Sequence, residues 1–182
     1  MNYKWWIFIA IVLFGIGVVL GLATPASITN LISEELSALE ELGSILAPFK
    51  LSTVIFIFSK NALALLFSFA LSPIFCLVPI LTLSVNGWLL ALVSSKVIEE
   101  KSLGFLLAGL LPHGIIELPA LFIGEAAALS FGTIAIVALF KKERRNLLTS
   151  SLRQNLRYLW IALALLLLAA IIETYITPLF IS

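Results

Sequence analysis

The chain has 182 residues, of which 62% are hydrophobic and only 12% charged, with a formal net charge of +1. A soluble domain carries about 45–50% apolar and about 25% charged residues, so this chain has too few charges to cover a globule in water. A soluble enzyme, a disordered chain and a nucleic-acid binder are excluded. The sequence reads as an all-α, multi-pass integral membrane protein in one domain over 1–182, a helical bundle placed in a cell membrane.

Every one of the 10 acidic residues is glutamate. Without Asp there is no calcium loop of clustered Asp and Asn and no triad built on Asp. Cys76 is the single cysteine, so no internal disulfide forms. In its apolar run it reads as a small buried hydrophobe.

The first apolar run, Trp5 to Ala23, follows Lys4 and is predicted as a retained first helix, with Trp5 and Trp6 at the interfacial belt. Thr24-Pro25 looks like a helix start, Thr as N-cap and Pro at the first helical position. Apolar residues from Ile28 to Phe49 then recur at helical spacing, opposite a face with Glu34, Ser37, Glu41 and Ser44. Pro48 disfavours helix at the residue before it. Residues 25–47 are therefore expected as an amphipathic surface helix. It carries four Glu and no basic residue, whereas lipid-binding surface helices are usually Lys/Arg-rich, so packing on protein is expected.

Leu51 to Leu71 is the second span, interrupted by Lys60-Asn61, and Pro73 to Ser95 is the third, with Asn86-Gly87 inside it. Lys96 to Lys101 reads as a short charged loop. The apolar stretch Leu103 to Phe140 is then too short for two spans and a turn, since each span needs about 20 residues. Pro112 and Pro119 stand in it, so a re-entrant break at 112–119 followed by one crossing is predicted. Lys141 to Arg157 holds six Lys/Arg against one Glu and reads as a cytoplasmic loop that sets topology and meets anionic lipid. Leu159 to Ile176 is the last span. The whole is about five spans plus the re-entrant broken helix and the surface helix. With Lys4 inside, loop 96–101 lies outside and the basic loop inside. A rival with two crossings in 103–140 puts Lys50, Lys96 and Lys101 inside as well.

Charge at the bilayer centre costs about 2.5–3.5 kcal/mol on insertion scales. Even so, Lys60, His113, Glu117, Glu125 and Glu173 fall within the spans, with Asn61 and Asn86. Such residues face the bundle interior and pair. His113 and Glu117 are four apart and share a helix face if the segment is helical. Three readings stand open for them: a hydrogen-bonded lock in a broken helix, an ion or proton site, and a metal site. The last has one His and no Asp to draw on, and leans on Glu117, Glu125 and Glu173. Glu173 reads either as an interfacial carboxylate or as a partner for Lys60 or the His113 cluster. Glu125, between Gly124 and Ala126-Ala127-Ala128, is expected to face a neighbouring helix. The small residues at Gly15, Gly17 and Gly21 and at 124–128 are expected as close-packing faces, and as interfaces of a two-fold homo-oligomer.

These residues carry a resemblance. Leu-Pro-His-Gly-Ile-Ile-Glu-Leu-Pro-Ala (111–120), the segment from Gly124 to Gly132, and Ala-Ala-Ile-Ile-Glu-Thr-Tyr-Ile-Thr-Pro (169–178) resemble the stage II sporulation protein M family, over roughly residues 55–180. Asn61 and Asn86-Gly87 fit the same pattern. By resemblance His113, Glu117 and Glu173 match the family's polar motif residues. Glu125 departs from it, standing where a small residue is usual, and Ala128 stands where Gly is common. In sporulating bacteria the founding member looks like a membrane anchor for peptidoglycan-degrading partners during engulfment. Many relatives look like they belong to non-sporulating bacteria and archaea. The resemblance implies a non-enzymatic membrane scaffold or assembly factor, with the lipid bilayer and membrane proteins as partners, no nucleic acid and no cofactor. The alternative is a small ion- or proton-coupled transporter or channel using His113, Glu117, Glu125 and Glu173.

Overall fold

A computed structural model of the protein describes residues 2–25 and 48–181. Five long helices carry it: α1 (Tyr3–Leu22), α2 (Leu51–Leu71), α3 (Leu77–Glu100), α4 (Leu103–Phe140) and α5 (Leu147–Tyr175). All five are long and apolar enough to cross a membrane. A 3-10 turn at Lys142–Arg144 joins α4 to α5, and a one-turn helix, α6 (Pro178–Ile181), follows α5. No strand occurs among the described residues. The amphipathic helix expected at 25–47 lies, apart from Pro25, outside the described residues.

Cross-helix contacts give the directions. Gly17 lies on Ser84, and Gly21 on Trp88 and Ala91, so α1 and α3 run parallel. Asn61 meets Glu117, Ser68 meets Glu125, and Ser72 meets Gly132, so α2 and α4 run parallel. Arg145 reaches back to the Ala138 carbonyl at one end while His113 meets Thr177 at the other, so α5 opposes α4. Consecutive helices therefore alternate in direction. Lys4 and the basic residues of 141–157 gather at one end of the bundle. Lys50, Lys96 and Lys101, with Glu99 and Glu100, lie toward the other.

α4 is the central helix and packs against all four others. Its middle is made of small residues, which let neighbours approach closely. Ala120, Ala126, Ala127 and Ala128 are fully buried. A Cβ at Gly124 would sit 2.5 Å from Leu65. Leu65, Phe69, Leu159, Ala162 and Leu166 close over this stretch from α2 and α5. On the other side Phe14 crosses Phe122 edge-on, with centroids 5.3 Å apart. From the start of α1, the Tyr3 ring stacks on Tyr158 of α5 and its hydroxyl donates to the Ile123 carbonyl in mid-α4 at 2.6 Å.

The break expected at 112–119 is absent: α4 is one helix of 38 residues with both prolines inside. Each Pro withholds one N–H, and helices in a membrane setting tolerate that where neighbours support them. The surrounding Leu and Ala are strong helix formers. At 1.5 Å per residue the helix is about 57 Å long, well over the roughly 30 Å of a bilayer's hydrocarbon core. The expected loop 96–101 is likewise helical to Glu100, and only Lys101 and Ser102 turn the chain. Ser102 N-caps α4, its hydroxyl accepting from Phe105 N at 3.1 Å. The expected basic loop 141–157 shrinks to 141–146. From Leu147 the chain is already helical, twelve residues ahead of the predicted start of the last span. Its basic side chains delayed that start in the reading, yet Arg is a good helix former.

The Gly and Ala faces expected between protomers are used inside the chain. A Cβ at Gly17 would collide with the Ser84 carbonyl, and one at Gly87 with the Phe14 carbonyl. Gly15, by contrast, has open space beside it.

Candidate functional site

Seven polar residues stood out in the spans, and α4 sorts them by the face and depth at which each lies. His113 and Glu117 are one turn apart, so both project to the side covered by α2 and the end of α5. His113 Nε2 stands 3.8 Å from Glu117 Oε2, too far for a hydrogen bond. Each side chain is held by its other atom. Asn61 Nδ2 donates to Glu117 Oε1 at 2.9 Å. Thr177 Oγ1 meets His113 Nδ1 at 3.3 Å. Glu173 comes in from the last turn of α5, and one ligand atom each from His113, Glu117 and Glu173 lie within 4.8 Å of one another. Lys60, exposed on α2, acts electrostatically on Glu173. The end of α5 is fixed here by Phe49 N, which donates to the Thr174 carbonyl at 3.2 Å.

A cleft of about 340 Å³ opens beside this cluster, between α2, α3 and α4. Asn61, Glu117, Thr82 and Asn86 give it polar walls, and Phe14, Leu65, Leu121 and Leu166 are among its apolar ones. Asn86 lines the cleft but donates back to the Thr82 carbonyl of its own helix at 2.7 Å. It therefore stands apart from the cluster.

Glu125 is elsewhere. Two turns beyond Glu117, it is fully buried against α2. Its Oε2 accepts from Ser68 Oγ at 2.6 Å, and its Oε1 has no protein partner among the described residues. Leu121 and Leu65 line the cleft, and Glu125 does not. The reading that set Glu125 beside His113 is corrected here: eight residues of helix are about 12 Å.

Sequence reasoning missed Thr177 and Ser68. Thr177 precedes Pro178 near the chain's end, and its spacing from any other polar residue carried no signal. Ser68 is seven residues from Asn61, just as Glu125 is eight from Glu117, so two polar rows at matched helical spacing were there to be read. Cys76 is buried as expected, its Sγ 3.7 Å from the Leu129 carbonyl. It was not expected to adopt positive φ, as Phe75 and Cys76 both do, where non-Gly residues are uncommon.

With this geometry in view, the comparisons decide the family. The model of the Stage II sporulation protein M family matches residues 10–178. The chain belongs to that family. The match reaches well into α1, further than the resemblance over 55–180, so the glycine packing of α1 on α3 lies within the family's region. An uncharacterized protein of Methanocaldococcus jannaschii is 29% identical over 123 residues, covering 67% of this chain and 69% of its own. No solved structure matches the chain. The family is one of membrane proteins, in keeping with the five apolar helices.

Proposed function

We propose that the protein is a multi-pass scaffold or assembly factor of the cell membrane, without catalytic activity of its own. One observation carries this reading: the polar site is one-sided. On its inner side the cleft is lined by Leu65, Leu121 and Leu166 with Thr82, and beyond it the bundle is close-packed around Ala127, Ala128 and Leu159 and encloses the fully buried Ser68–Glu125 pair. A conducting path would need polar or wet lining through that half. Against catalysis, the hydroxyl nearest His113 is Thr177 Oγ1, which is buried and donates to the Ile172 carbonyl at 3.4 Å. Such a hydroxyl is poorly placed to attack a substrate.

The charge pattern supplies an orientation. Cytoplasmic flanks carry an excess of Lys and Arg, so the end with Lys4 and 141–157 is inside and the His113 cluster belongs to the outer half. Partners would be membrane proteins held beside the bundle. The transporter reading has the cluster in its favour and the sealed inner half against it.

Proteoliposomes with trapped pH- and cation-sensitive dyes test the choice. The scaffold reading expects flux equal to protein-free vesicles. Flux that Glu117→Gln abolishes would establish the transporter instead.

A further inference from the structure

We propose that His113, Glu117 and Glu173 bind one divalent first-row transition-metal ion of the zinc class, clipping α4 to the outer end of α5. The proposal does not depend on the scaffold reading, since an ion can brace a bundle whatever the bundle does.

The donor atoms lie within 4.8 Å of one another. Ligands of a four-coordinate ion with bonds of about 2.0–2.2 Å sit about 3.3–3.6 Å apart, so side-chain rotations that draw the atoms together by about 1 Å enclose an ion. The His113 and Glu117 atoms that face each other are also the ones left over. Asn61 occupies Glu117 Oε1 and leaves Oε2 toward His113. Thr177 occupies His113 Nδ1 and leaves Nε2 toward Glu117. Metal-ligating side chains are commonly held in this way, by a polar group on the atom that does not bind the ion. His113 and Glu117 do not satisfy each other, because 3.8 Å is beyond hydrogen-bond length.

Charge argues the same way. Two carboxylates brought together at membrane depth repel in a low dielectric; Lys60 acts on Glu173 from one side, and a doubly positive ion between the carboxylates offsets both. One imidazole and two carboxylates, with no thiolate, suit zinc, manganese, iron, cobalt or nickel. Calcium and magnesium prefer oxygen alone. Three protein ligands leave a fourth position, and the adjoining cleft has room for water there.

The test uses the full chain, stripped with chelator in mild detergent and titrated calorimetrically with Zn2+ and, separately, Mn2+. One ion per chain and a raised unfolding temperature are expected. Glu173→Gln and His113→Gln should weaken binding at least tenfold, and Asn61→Leu and Thr177→Val about tenfold. Glu125→Gln, on the same helix but outside the cluster, should leave affinity unchanged. If the ligand variants fail to fold, X-ray absorption of the zinc-loaded wild type decides: one nitrogen with oxygens in the first shell is expected, and an all-oxygen shell overturns the proposal. Absence of stoichiometric binding overturns it too, as does binding that the ligand variants leave intact.

Discussion

Glu117 and Glu125 share a face of α4, two turns apart, and the chain treats them differently. Glu117 borders a cleft and takes a hydrogen bond from Asn61. Glu125 is sealed between α2 and α4, with Ser68 on one oxygen. In the chelator-stripped protein Glu117→Gln keeps an acceptor for Asn61, so it should change stability by less than about 1 kcal/mol, whereas Glu117→Ala should cost about 1–3 kcal/mol by orphaning the Asn61 amide. Reversible unfolding in detergent, followed by circular dichroism, measures both. For Ser68 and Glu125 a double-mutant cycle is the sharper instrument. Ser68→Ala and Glu125→Met together should cost less than the sum of the single changes, with coupling of about 0.5–3 kcal/mol. Strict additivity would mean that the 2.6 Å contact contributes nothing to stability. At this scale the sequence was informative about residue type and poor about partners. Polar residues in apolar runs announce themselves, because burying them has a known cost. Which of them meet depends on helix pairing, and His113 reaches Thr177 only because α5 stops at Tyr175 and turns.

The helices raise a different question, that of where each one stops. Prolines 112 and 119 were read as breaks, yet α4 runs through both. A missing N–H is a local loss, while packing along the whole of α4 is a distributed gain, and the gain decides. Pro119→Ala should therefore leave helix content unchanged and stability equal or higher, since Ala restores the withheld bond and is the better helix former. A fall in helix content measured by circular dichroism would show that the proline shapes an irregular segment. The glycines make the opposite case. Gly17 and Gly87 bring α1 and α3 into backbone contact, so Gly17→Leu should prise the pair apart and destabilise by several kcal/mol, in line with overpacking. If that face joined protomers instead, the same change would lower the oligomeric mass and spare the monomer's stability. Light scattering and unfolding together separate the two outcomes. The positions of these glycines were legible in the sequence as a close-packing face. What they pack against was not, because a small-residue stripe fits a neighbour from the same chain as well as one from another.

Across the whole molecule, the alternating helices turn a weak sequence signal into a strong one. The basic residues are scattered along the chain, but the fold collects Lys4 and those of 141–157 at a single end. About five spans were expected from the sequence, and five membrane-length helices are present among the described residues. From α2 onward the alternation of directions follows from short connections, such as Lys101-Ser102 between α3 and α4, which leave no room for a parallel return. The account's central claim is that the polar site opens from the outer side only and that the inner half of the bundle is shut. Single cysteines at 99, 117, 125 and 143, introduced into a Cys76→Ala background and treated with a membrane-impermeant thiol reagent in sealed vesicles of known orientation, test it most directly. Positions 99 and 117 should react from the outer face, 143 from the inner face, and 125 from neither. Labelling of position 125 from the inner face, or of 99 and 143 from the same face, would contradict the account.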